Sequence, residues 1–203
     1  MHAQVELYGS DTGNSLRAAI ALSEAEIEFV PKRMDLHAGA HRQPEFLKLN
    51  PAGKVPTLVD NSYSPPLVIN QSNAIIQYAD AKMPGRLSSP SGIERFRVHD
   101  RFFFFITDVI ATSHAAFYLR QMGQREGSAP LSERALEHLM AAEEFLVGGY
   151  IAGNKFSMAD IAAFTFAASV SSQVPWGKLP RMTRWFEVIG DRPGVKKGMR
   201  AFQ

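Results

Sequence analysis

A chain of 203 residues, 45% hydrophobic and 21% charged, has the composition of a globular protein and room for one large domain or two small ones. Its net charge of +2 is too small to argue for nucleic acid or an anionic membrane as a partner. The lack of cysteine excludes disulfides, thiolate metal sites and a cysteine nucleophile, and it fits a reducing, cytoplasmic compartment.

Met1-His2-Ala3-Gln4 runs straight into an alternating pattern, so no signal peptide is expected. Gln4 to Tyr8 predicts a strand and Gly9 to Gly13 a turn. Asn14-Ser15 then caps an apolar helix over 16–24. Ile27 to Pro31 predicts a second strand, 35–43 a loop and 44–49 a short helical turn. Two strands follow over 57–60 and 66–69, around the turn Asn61-Ser62-Tyr63-Ser64, and a helix over 72–82 closes the order β-α-β-α-β-β-α. Residues 84–92 are dense in turn formers and predict a linker.

Beyond the linker every pattern is helical. One long helix, straight or bent, covers 93–124. A second over 131–147 carries a stripe of Leu136, Leu139, Met140, Ala142, Phe145 and Leu146. Another starts at Ser157-Met158-Ala159-Asp160, and two more at Pro180 and Pro193, where proline suits a first turn. Arg101 and Asp108 flank the tetrad Phe102 to Phe105, so no uncharged run reaches spanning length. The expected architecture is an α/β, thioredoxin-like domain over 1–83, a linker over 84–92 and an all-α domain over 93–203.

Two segments point to a binding site. Val55-Pro56 precedes the strand at Thr57; a cis X-Pro bond in a tight turn turns the preceding residue's N–H and C=O outward, where an extended peptide can pair with them. Gln71-Ser72 opens a helix whose first N–H groups suit a carboxylate. A backbone clamp beside a carboxylate socket fits a small acidic peptide. Taken singly, each piece is equally an ordinary turn or helix cap.

Together with Asn50-Pro51-Ala52-Gly53-Lys54-Val55-Pro56, Gln71 to Ile75 and Gly153 to Asp160, these segments make the whole chain resemble the glutathione S-transferase family. The resemblance implies a glutathione-binding first domain, an electrophile site lined by the long helix and a homodimer; no residues have the spacing of a metal site, and the charge points to no nucleic acid or membrane partner. It implies that Val55 pairs its backbone with the cysteinyl unit, with Pro56 cis, and that Gln71 and Ser72 hold the γ-glutamyl end. Gln71 stands where most members carry an acid. His41 and Lys54 match positions that hold the glycine carboxylate; as plain residues they are a loop histidine and a surface cation.

A free thiol ionises near pH 8.5, so a thiolate near neutrality needs about 2.7 kcal/mol of selective stabilisation. The turn Asp11 to Ser15 at a helix start is the expected source. Candidate sulfur donors are Asn14, then Thr12, with Ser15 close behind; each is also a plausible cap. Tyr8 is a fourth candidate, at the strand end where several classes carry a tyrosine. Thr12-x-Asn14 also resembles the nu class, which reduces disulfides with glutathione. For the second substrate the resemblance points to Ile110, with His114 one turn on, and to Phe117 and Tyr118; these, Trp176 and Phe102 to Phe105 serve packing equally well. The leading expectation is transfer of glutathione to an apolar electrophile. The alternatives are a nu-type disulfide reductase and a non-catalytic binding module on the same fold.

Overall fold

A computed structural model describes residues 4–203. Strand β1 (Val5–Gly9) alternates buried and half-buried residues, as a strand covered unequally on its two faces must. It pairs in parallel with β2 (Val30–Arg33) and antiparallel with β3 (Thr57–Asp60), which pairs antiparallel with β4 (Leu67–Ile69). The sheet order is β2-β1-β3-β4. Central β3 is buried along its whole length. The second strand lies later in the chain than the expected 27–31; the segment before it, from Ala25, carries a left-handed residue at Glu26 (φ 57°) that ends the preceding helix.

Helices α1 (Gly13–Glu24) and α3 (Ser72–Lys82) pack against each other, and α2 (Pro44–Leu49) brings Phe46 within 6.0 Å, ring to ring, of Tyr8. Every residue of α1 from Ser15 to Ser23 is buried, so this helix has no solvent face.

Two compact units divide the chain: one runs up to Leu87 and takes back Asp191–Gln203, and the other is Ser88–Gly190. The expected all-α domain over 93–203 therefore differs at its end. Helix α9 (Pro193–Met199) lies against α1 because Gly198 lacks a side chain; a Cβ there would sit 2.5 Å from the Ile20 backbone. Phe202 fills the space above Gly9 in the same way. Arg192 closes the contact with a two-pronged hydrogen bond to Glu24, at 3.1 and 2.6 Å.

In the second unit, α4 (Ile93–Phe104) continues through a π-helical segment, Phe105–Ala111, into α5 (Thr112–Gln121). Length and composition alone would let this helix cross a bilayer, a property that core helices share, and it buries Val98, Phe102, Phe105, Val109 and Ile110 inside its own unit. Helix α6 (Arg125–Ala141) passes into a 3₁₀ segment, Ala142–Gly148, and α8 (Pro180–Asp191) completes the unit's long helices. The buried stripe runs through Ala135, Leu139, Ala142 and Leu146, close to the expected one.

Helix α7 (Met158–Ser169) starts at a capping box. Ser157 N–H and Oγ donate to Asp160, whose other oxygen accepts from Ile151 N–H and Trp185 Nε1, each at 2.9 Å. Burial pushes the Asp160 carboxyl up to about 6, against the pull of these donors.

Candidate active site

The turn after β1 is built by hydroxyls. Thr12, not Asn14 or Ser15, is the N-cap of α1: its extended backbone precedes the first helical residue, and its Oγ1 accepts from Ser15 N–H at 3.4 Å. The Thr12 hydroxyl donates to Ser15 Oγ at 3.0 Å, and Ser10 N–H donates to the same oxygen at 3.3 Å. Ser15 is fully buried. Thr12 thus both accepts and donates in closing the turn, and the Ser15 hydroxyl, whose oxygen accepts twice, is sealed beneath it.

Asn14 is arranged differently. Its Oδ1 accepts from Arg17 Nη1 at 2.8 Å. Arginine offers donors only, so the amide must turn its oxygen to the guanidinium and its NH₂ away from it. Among the described residues that NH₂ donates to nothing. Arg17 was not singled out in the sequence. Its signal was a lone cation in the apolar run Leu16 to Leu22. It is 3% exposed, and burial lowers its proton affinity to about 10, which leaves it charged at neutral pH.

The same Nη1 donates to Ser72 Oγ at 3.2 Å. Ser72 opens α3 and is buried; Gln71 before it is the exposed N-cap, extended, with no side-chain bond to the helix end. The first-turn N–H groups of α3 lack partners from the helix itself. Arg17 therefore joins the start of α1 to the start of α3.

The Val55–Pro56 bond is cis, as expected from the motif, and Ser64–Pro65 is cis as well. Val55 is half-buried and Pro56 buried. Asn50, 3% exposed, holds this loop from inside: its amide donates to the Lys54 carbonyl at 2.6 Å, and its oxygen accepts from Ala52 N–H at 3.1 Å. Lys54 itself is exposed. Gly53 takes a left-handed φ of 57°, and a Cβ there would meet the His41 carbonyl at 3.0 Å. That close approach places the 3₁₀ turn Ala40–Arg42, with His41, beside Lys54. The His41 Nδ1 is buried without a partner, the kind of polar atom a ligand satisfies.

Tyr8 does not join this group. Its hydroxyl donates to Glu6 at 3.0 Å, and burial with the neighbouring Glu6 carboxylate raises its proton affinity, the opposite of what an anion-stabilising phenol needs. In the helical unit, Ile110 is buried in the π segment, whereas His114, Phe117 and Tyr118 on α5 are exposed. The shared face expected of Ile110 and His114 is thus split between core and surface. The π segment buries Phe105, Val109 and Ile110, and the regular helix beyond it buries only Ala116. Trp176 packs on Phe186 at 4.7 Å and donates to the Ser171 carbonyl, a packing role. Among the described residues no group of three His, Cys, Asp or Glu is placed to hold a metal ion.

The family models for the glutathione S-transferase N-terminal and C-terminal domains match residues 3–81 and 106–193. The chain belongs to the glutathione S-transferase family. Glutathione S-transferase 3 of Zea mays is 29% identical over 98% of this chain and 95% of its own length. Glutathione S-transferase 2 of Anopheles gambiae is 32% identical over 89% and 88%. Among solved structures, a glutathione transferase family member from Pseudomonas fluorescens, with two glutathiones bound, superposes with a TM-score of 0.85 at 22% identity, covering 97% of this chain and 92% of that one. A glutathione S-transferase from the Antarctic clam Laternula elliptica gives 0.80 at 27% identity over 97% and 92%. The sheet, its helices and the helical unit are those of a glutathione S-transferase.

Proposed function

We propose that this glutathione S-transferase binds glutathione in its first unit, ionises the thiol beside Asn14 and transfers the sulfur to an apolar electrophile. The observation that carries the reading is the assembly, in one compact unit, of the cis Val55–Pro56 turn, the start of α3 and the start of α1. The Val55 backbone pairs with the cysteinyl residue as an added strand would. Ser72 and the first turn of α3 take the γ-glutamyl carboxylate. Gln71 accepts from the ammonium through its amide oxygen, without the charge an acid would bring. Lys54 and His41 take the glycine carboxylate. Thiolate formation sends the proton to solvent; the sulfur then forms a bond to carbon as the leaving group departs with its electron pair.

Asn14 is the donor to sulfur in this reading, since Thr12 spends its hydroxyl proton on the turn and Ser15 is fully buried beneath it. His114, Phe117 and Tyr118 are the second-substrate residues on the helical unit. Ile93, Phe96 and Phe103 are 68, 75 and 51% exposed at helical spacing, an apolar stripe suited to a two-fold homodimer contact. Sedimentation as a monomer at micromolar concentration removes that part of the reading.

A conjugation assay with a chloronitroarene, run beside a glutathione disulfide-exchange assay and calorimetry, tests the whole. Conjugation with glutathione affinity between about millimolar and micromolar is expected. Exchange without conjugation identifies a reductase, which without cysteine would need one or two bound glutathiones. No binding at several millimolar leaves only the non-catalytic module.

A further inference from the structure

We propose that Arg17 is the positioning residue of this site, setting the direction of two hydrogen-bond donors at once by giving one Nη1 to both Asn14 Oδ1 and Ser72 Oγ. The inference rests on the proposed glutathione reading of the site and concerns a residue that never touches the ligand. An asparagine amide and a serine hydroxyl are each ambiguous: either can donate or accept. A guanidinium removes the ambiguity because it only donates. With Oδ1 held at 2.8 Å, the Asn14 NH₂ has one direction left, away from Arg17. With Ser72 Oγ accepting at 3.2 Å, the serine's own proton is turned outward. Both outward groups are then donors, and both stand at helix starts where an anion is favoured. The ligand chemistry that matches two fixed donors is a pair of anionic atoms on one small molecule, here a thiolate and a carboxylate.

Burial gives the device its rigidity. Arg17 lies in a helix with no solvent face, so water does not compete for its hydrogens. Packing and hydrogen bonds hold it, and a residue so held lends its geometry to neighbours without reorganising when the thiol ionises.

The test uses the full chain in four forms: wild type, Arg17→Met, Asn14→Ala and the double variant. Thiolate absorbance is titrated against pH with glutathione bound, and calorimetry gives the dissociation constant. Arg17→Met is expected to raise the bound thiol's pKa by about one pH unit and to weaken glutathione binding about tenfold, through Asn14 and Ser72 respectively. In the double variant the thiol pKa should match that of Asn14→Ala alone, because Arg17 acts on the sulfur through Asn14. Asn14→Asp serves if Arg17→Met does not fold: it keeps an acceptor for Arg17 but loses the NH₂, and it should raise the thiol pKa. The inference is overturned by an unchanged thiol pKa in Arg17→Met or Asn14→Asp, or by additive shifts in the double variant, which would mark a plain charge effect. Wild-type protein that fails to bind glutathione overturns the underlying reading, a result visible before any variant is made.

Discussion

Two clusters at helix starts, one at α7 and one joining α1 to α3, use the same materials for different ends. At α7, Ser157 and Asp160 close on each other, and Asp160 also takes the Ile151 N–H and the Trp185 indole. Every donor aimed at that carboxylate comes from the chain, so the polar cluster is finished by folding. At α1 and α3, Thr12 and Ser15 close the turn, but Arg17 takes up only the acceptor sides of Asn14 and Ser72. Their donor sides stay open. A buried charge organises each cluster, Asp160 in one and Arg17 in the other. The sign and the geometry of that charge decide whether the helix start closes on the chain itself or keeps donors turned outward.

Removing the organiser should therefore have its largest effect on stability at α7. Asp160→Ala leaves the Ile151 and Ser157 N–H groups and the Trp185 indole buried without acceptors. It should cost about 3–5 kcal/mol in denaturant unfolding. A loss below about 1 kcal/mol would show that the α7 start is not closed in the way described.

The open cluster should respond in kinetics instead. Asn14→Ala should lower kcat/KM for conjugation by about 2 kcal/mol, less than the 2.7–4 typical of a sole anion donor, because backbone N–H groups share the load. Its unfolding midpoint should move little. A large stability loss with unchanged thiol pKa would make Asn14 the equivalent of Ser157.

The acid limb of stability sharpens the contrast, since two buried aspartates titrate in opposite senses. Burial pushes the Asp60 carboxyl up, but hydrogen bonds from Ser62, Tyr78 and Lys82 outweigh it and hold it at about 2. Its folded pKa lies below the ordinary value, so its contribution is complete above about pH 4 and fades as pH falls toward 2. Asp160, raised to about 6, binds more protons folded than unfolded between about pH 4 and 6; its contribution shrinks as pH rises through that window. Unfolding free energies of Asp60→Asn and Asp160→Asn from pH 2 to 7 should remove these opposite slopes one at a time.

The smallest effect belongs to a cluster with no burial. Arg86 and Glu26 form a two-pronged surface pair at 2.8 Å, with both side chains largely exposed. Glu26→Gln should change stability by less than about 1 kcal/mol, less still at high salt, and leave glutathione affinity alone. A larger change would mean that a charge cluster here needs no burial to matter.

Much of this molecule is legible from nearest neighbours in the chain. Alternation, caps, prolines and glycines carry the strand and helix order, the α7 capping box, and the Asn50 to Pro56 and Gln71-Ser72 segments, because turns and caps are set by contacts a few residues apart. The β2 position was less legible, since its alternation is weak and three of its four residues are exposed.

Packing between distant segments decided the rest. Thr12 rather than Asn14 caps α1, because the buried Ser15 draws the turn closed and Arg17 claims the asparagine. Arg17 reads on paper as a surface cation; only the meeting of α1 with α3 brings it to Ser72, fifty-five positions away. Nothing local in Pro193 to Phe202 says that it belongs with the sheet. That assignment comes from Gly198 against the Ile20 backbone and the Phe202 ring over Gly9, where missing side chains let distant segments meet. Local chemistry names the candidates for a site, and the close approach of remote segments selects which of their donors remain free.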